Sequence, residues 1–187
     1  MLSTHDIIRY KSSLKHLAQR IILVTGAGDG IGKAVAIGAA KSGATVILAG
    51  RTVAKLEQVY SLIVKAGGPE PSIYPIDLTG ATAKDYDDLS VLIDEQFGRL
   101  DGLLHNAAIL GLRSPLTNYS SELWSKVIQV NLTAPFQMTQ SLMAVLEKSE
   151  DASVIFTTSE VGRVGKAFWG AYAVSKFAIE GMVQTWA

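Results

Sequence analysis

Cysteine is absent from the 187 residues. Disulfides, thiolate metal sites and a cysteine nucleophile are therefore excluded, and the redox compartment cannot be read from thiol usage. Histidine is scarce: the chain carries His5, His16 and His105, none paired with another at ligand spacing, so no metal is expected. Neither sign of charge prevails, with 17 basic against 17 acidic residues, and no overall field draws the chain to nucleic acid or to an anionic membrane. Long apolar runs are missing as well. Residues 1–20 scatter charge through short apolar groups, unlike a signal peptide or a membrane span, so a soluble, cytoplasmic protein is expected. That extension reads as a short helix beside the first strand, with contact to a membrane surface as the alternative. No repeat, low-complexity tract or linker interrupts the chain.

What is present is a 48% hydrophobic composition, which suits one α/β domain with a sizeable core. Residues 20–34 read R-IILV-TGAGDGIG-KA. Residues 21–24 are a strand buried on both faces, four glycines follow within seven positions, and Ala34, Ala36, Ala39 and Ala40 favour a helix close against a sheet. Such a strand, glycine turn and helix aim backbone N–H groups outward, a seat for a diphosphate; a purely structural turn is the alternative. A P-loop is excluded because Ala27 and Ala34 stand where a glycine and a hydroxyl are needed. The G-x-G-x-x-G fingerprint fails at Ile31, after Gly26 and Gly28. The pattern is T-G-x-x-x-G-x-G, on Thr25, Gly26, Gly30 and Gly32.

Further strands are expected at 44–49, 72–76, 100–105 and 152–157, alternating with helices at 52–66 and 83–97. Leu56, Val59, Leu62 and Ile63 mark the buried face of the first of these helices. Two helical segments fill 115–147 and meet near Asn131, where Pro135 demands a helix start or a kink. At the end of the second strand, where an acid would grip both ribose hydroxyls of NAD, the chain has Gly50 and then Arg51, whose guanidinium suits a 2′-phosphate. NADP(H) is therefore preferred and NAD(H) possible, unless Arg51 is only a solvated loop residue; Asp29 has the wrong sign for that region. Asp77 stands where it either caps the next helix or touches a ligand. His105 reads as a polar strand end, and Ala108 occupies a place suited to glycine.

Tyr172 and Lys176 open a helix at i, i+4 and so share a face. A free phenol titrates near about 10, and a neighbouring ammonium lowers that value towards the working range. With the glycine turn, Asn106-Ala107, Asn131, Ser159 and Y-x-x-x-K in this order, the chain resembles the short-chain dehydrogenase/reductase family. The resemblance implies a doubly wound parallel sheet, Rossmann-like and three-layered. It also implies cofactor contacts from Thr25, Gly26, Gly28, Gly30, Ile31, Gly32, Arg51, Asp77, Leu78, Asn106, Ala107, Tyr172 and Lys176. Asp77 would accept from the adenine amine. Ser159 would bind the substrate oxygen, Tyr172 would move its proton, Lys176 would hold the nicotinamide ribose, and Asn131 would keep a water on a proton path to Lys176. Ordinary surface roles for Ser159, Tyr172 and Lys176 are the bland alternative.

Three activities follow: an NADP(H)-dependent oxidoreductase acting on a carbonyl or alcohol, a nucleotide-binding regulatory protein without turnover, and a sugar-nucleotide epimerase, which the glycine spacing disfavours. Family members continue past the helix that holds Tyr172, so residues 21–187 are expected to be a C-terminally incomplete dinucleotide-binding and catalytic domain, with the fifth strand at a sheet edge. Pairing through helices 131–148 and 172 onward is implied, since Phe177, Ile179, Met182, Val183 and Trp186 exceed what one sheet face needs. A homo-oligomer, dimer or tetramer, is expected.

Overall fold

The computed structural model describes residues 16–187; most of the expected N-terminal helix lies outside the described residues. Five strands form one parallel sheet in the order β3-β2-β1-β4-β5: β1 (Ile21–Thr25), β2 (Thr45–Gly50), β3 (Ser72–Pro75), β4 (Gly102–His105) and β5 (Ser153–Phe156). The helices between them are α1 (Gly30–Lys41), α2 (Val53–Lys65), α3 (Ala83–Phe97), α4 (Ser121–Ile128) and α5 (Ala134–Leu146), with α6 (Gly170–Trp186) after β5. This is the doubly wound, three-layer arrangement. Strand alternation explains why the apolar runs are continuous. Leu23 lies opposite Ile47 and Leu103, and these face α3 and α5 with Leu89, Met138 and Leu142. Their neighbours Val24, Leu48 and Leu104 face α1 and α2 with Ala36, Ala40, Val59 and Ile63. Small residues in α1 let its axis approach the sheet.

Several local expectations are adjusted. The helix expected at 52–66 is Val53–Lys65, and Leu62 is exposed rather than buried, because Leu56, Val59 and Ile63 already fill the stripe facing the sheet. The cap of α3 is Thr82, whose hydroxyl and N–H both meet Asp85, not Asp77. Asp77 instead closes a tight turn, its Oδ1 accepting from Thr79 N at 3.0 Å. Ala108 adopts an ordinary backbone: among the described residues only Gln19 and Phe168 have positive φ without being glycine.

Between α4 and α5 the helix passes through a π-helical turn, Gln129–Thr133. Pro135 cannot donate the i→i−4 bond to the Asn131 carbonyl. The ladder slips by one residue, and Ala134 N–H reaches Gln129 O. β5 is an edge strand, with Val154 and Ile155 exposed. Among the described residues, no helix is long and apolar enough to cross a membrane.

Candidate functional site

The carboxyl ends of β1 and β4 flank the point where strand order reverses, the place where open α/β sheets hold ligands. A cleft of about 450 Å³ opens there. Thr25, Gly26, Gly28, Gly30 and Ile31 line one wall, Gly50 to Thr52 and Lys55 a second, Asp77 to Thr79 a third, and Asn106 to Ile109 the floor. Gly32 does not line the cleft. It lies beneath the turn, where an added Cβ would stand 2.3 Å from Gly26 O and 2.6 Å from Asn106 Nδ2. Its role is to seat α1 against the turn.

One hydroxyl organises the floor. Thr25 Oγ1 accepts from Asn106 N at 3.0 Å and Ala107 N at 3.1 Å, and donates to Leu104 O at 3.3 Å. Asn106 Nδ2 donates to Thr25 O at 3.3 Å, so β1 and β4 stay joined where the chain turns away. His105 is buried below, stacked on Phe156 at 4.7 Å. Thr139 Oγ1 donates to Pro135 O, so it must accept from His105 Nε2–H across 2.8 Å, which places the ring's remaining lone pair on Nδ1.

Burial pushes His105 down to about 3. It is therefore neutral in the fold, while the unfolded chain takes up a proton near about 6.5. Between these values the unfolded state binds more protons, so stability falls as pH drops from about 6.5 towards 3, by up to about 1.4 kcal/mol per unit. The variant His105→Gln should flatten the acid limb of a thermal-unfolding profile between pH 6 and 4. An unchanged limb would assign that loss to other groups.

Arg51 is exposed on the cleft wall, and among the described residues its own guanidinium makes no ion pair with a carboxylate. Asp77 stands beside it on the neighbouring wall, its carboxyl held below the usual range first by the Thr79 backbone N–H and also by the Arg51 charge. Asp29 is accounted for: Oδ1 caps α1 through Gly30 N at 2.8 Å, and Oδ2 meets Lys55 Nζ at 2.6 Å. Its negative charge is locally compensated.

Asn131, Ser159, Tyr172 and Lys176 do not line that cleft; Asn131 is tied to it through Ile109, and Lys176 through Thr157 and Asn106. The buried Asn131 amide spans Ile109, accepting from N at 2.8 Å and donating to O at 2.9 Å, and Nδ2 also reaches Ser175 Oγ at 3.1 Å. Ser175 donates to Tyr172 O at 2.7 Å. Both N–H donors of that amide and one lone pair of its oxygen thus fix the cleft floor to α6.

Lys176 is 4% exposed, and its Nζ donates to Thr157 O at 2.6 Å. Desolvation lowers its pKa. The ammonium lies 5.7 Å from the centre of the Tyr172 ring. Ser159 precedes the short turn Glu160–Gly162, which runs against Lys176: a Cβ on Gly162 would fall 2.9 Å from the Lys176 backbone.

The sequence pattern missed Lys55, Ser175, Ile109 and Thr157. Ser175 stood inside Y-A-V-S-K and offered a signal. The others are placed by partners 19 to 26 positions away, beyond any local period.

The family profile described as short chain dehydrogenase matches residues 20–187. The uncharacterized oxidoreductase YciK of Escherichia coli (strain K12) is 47% identical over 177 residues, covering 95% of this chain and 70% of its own. Of the solved structures, a short chain dehydrogenase of Shigella flexneri complexed with NADP has a TM-score of 0.91 at 46% identity, over 93% of this chain and 73% of that one. Another from Escherichia coli CFT073, complexed with NADPH, has a TM-score of 0.91 at 47% identity, over 94% of this chain and 73% of that one.

Proposed function

Because the chain belongs to the short chain dehydrogenase family, we propose that it is an NADP(H)-dependent oxidoreductase acting on a small carbonyl or alcohol compound. The single observation that carries this reading is the placement of Lys176 beside Tyr172, on a helix that Asn131 ties to the cleft floor. The NADP and NADPH complexes of the similar structures support the cofactor, as does Arg51 after Gly50. The regulatory alternative is not favoured, since a relative 47% identical over 95% of this chain is an oxidoreductase by name.

Residues 21–187 act as one dinucleotide-binding and catalytic domain in this proposal. The cleft fits the group: its turn is built from glycines that keep the wall low, and the N-terminus of α1 opens into it with free space where a Gly30 side chain would project. The turn residues Thr25 to Gly32 and Asn106-Ala107 would hold the dinucleotide, with Arg51, Asp77 and Leu78 at its adenosine end. When bound, the nicotinamide supplies or receives the hydride. The protein manages the proton and the geometry. Ser159 Oγ donates to the substrate oxygen, and the Tyr172 phenol passes its proton to that oxygen as it becomes an alkoxide. Lys176 spends one of three N–H donors on Thr157 O; the other two are available to ribose hydroxyls, and the positive charge stabilises the phenolate left behind.

The proposal takes the enzyme as cytoplasmic, where a dissolved cofactor meets it, and as a homo-oligomer paired through α5 and α6. Those helices expose Phe136, Met143, Phe177, Val183 and Trp186; a monomeric mass by light scattering would refute that part. Titration of NADPH and NADH, followed by nicotinamide fluorescence and by oxidation of NADPH with a panel of ketones and quinones, tests the whole. Tighter NADPH binding with turnover of a panel member is expected. Binding of neither cofactor would overturn the reading.

A further inference from the structure

We propose that Lys55 is a second cation for the 2′-phosphate of NADP(H), beside Arg51, and that Asp29 is the counter-ion that holds it across the cleft until the phosphate arrives. This rests on the NADP(H) reading above and adds to it which residues set the preference over NAD(H).

Lys55 and Asp29 bridge two walls of the same cleft, and Gly50, Arg51 and Thr52 lie on the Lys55 side. The approach of those walls is built in: a Cβ on Gly28 would stand 2.9 Å from Lys55 Cβ, so the bare backbone at 28 is what admits the first turn of α2. Lys55 also sits where helix energetics disfavour it. It occupies the first turn of α2, which has no acidic residue there and whose Thr52 makes no side-chain cap. A cation at that end opposes the helix dipole. Breaches of local rules of this kind gather at functional sites.

The pair is loosely held. The Lys55 side chain is 51% exposed and that of Asp29 76%, so opening it costs little. Asp29 stays satisfied when Lys55 leaves, because Gly30 N still donates to Oδ1 and the Lys33 charge also acts on it. A 2′-phosphate, with about −1.5 to −2 charges, draws Lys55 more strongly than one carboxylate does. A 2′-hydroxyl offers no such pull, and Lys55 remains on Asp29. Arg51 stands next to this position without a carboxylate partner among the described residues. The two cations of the cleft wall therefore converge on the one anionic group that distinguishes the two cofactors.

The test is calorimetric binding of NADPH, NADH and 2′,5′-ADP to the wild-type chain and to Lys55→Met and Asp29→Asn. Methionine keeps the stem and removes the charge; asparagine keeps the cap on α1. For Lys55→Met, NADPH and 2′,5′-ADP should weaken by at least about tenfold, one charge-assisted hydrogen bond, with NADH within about twofold. For Asp29→Asn, NADPH should tighten severalfold with NADH unchanged. Equal loss of NADPH and NADH in Lys55→Met would make the lysine structural, and no change in either would leave the phosphate to Arg51. A weaker NADPH complex in Asp29→Asn would overturn the counter-ion role. Wild-type chain that binds neither cofactor overturns this proposal together with the one it rests on, whereas wild-type binding of NADPH that Lys55→Met retains overturns Lys55 alone.

Discussion

Replacing Tyr172 by phenylalanine should lower turnover by about a hundredfold to ten-thousandfold, the range for a lost general acid–base, while NADPH affinity changes by less than about twofold. The ring is retained, and with it the neighbouring Trp169 ring, whose centre lies 6.0 Å away. The backbone carbonyl of residue 172 still accepts from Ser175, so Asn131 and the cleft floor are undisturbed. Lys176 keeps its bond to Thr157 O. Only the phenol oxygen is removed, and with it the group that exchanges the substrate proton. Steady-state rates with the carbonyl compound identified by the panel, alongside the NADPH isotherm, make the separation. If Tyr172→Phe retains more than about a tenth of wild-type turnover, another group carries the proton.

The second large effect is expected beneath the glycine turn. Gly32→Ala should abolish detectable NADPH binding and lower the melting temperature by several degrees, since one added methyl meets atoms that cannot give way. Gly26 O is backbone. Asn106 Nδ2 is pinned by Thr25 O, and Asn106 Oδ1 lies 3.5 Å from Thr157 Oγ1. α1 must therefore move outward, which costs about 1–3 kcal/mol as overpacking and opens the turn that seats the diphosphate. Gly38, in the same helix, is the control. An added Cβ there meets nothing within 4 Å, and Gly38→Ala should stabilise by about 0.5–1 kcal/mol through helix propensity. Thermal unfolding of the two variants must therefore shift in opposite directions; a shift of the same sign would show that Gly32 is not a contact glycine.

Much of this molecule was legible in the chain because its strongest signals are short-range. The runs at 21–24 and 46–49 are β-branched and aliphatic without a polar interruption, as in a strand covered on both faces. Pro135 announced a break near Asn131, although the break takes the form of a π-helical slip that no periodicity encodes. Tyr172 and Lys176 share a face because a helix repeats every 3.6 residues, and the structure has both on α6. Asp77 shows the limit of such reasoning. A cap, a turn and a ligand contact all favour aspartate, and only the Thr82–Asp85 reciprocal cap, already complete, leaves Asp77 to the Thr79 turn and the cleft.

Sequence alone determined the alternation of strands and helices, the glycine turn and the absence of thiol chemistry, because each follows from residue type and local spacing, and the order of the motifs carried the family resemblance that implied the doubly wound sheet. Tertiary structure decided who meets whom. Lys55 neutralises Asp29 across 26 positions, Lys176 reaches the Thr157 carbonyl, His105 is held neutral against Thr139, and Gly32 fits under Gly26. These pairings depend on which strands are neighbours, on their register, and on how closely α1 and α6 approach. Those quantities are set by burial of the whole sheet on both faces, a balance summed over the entire chain that no local window contains.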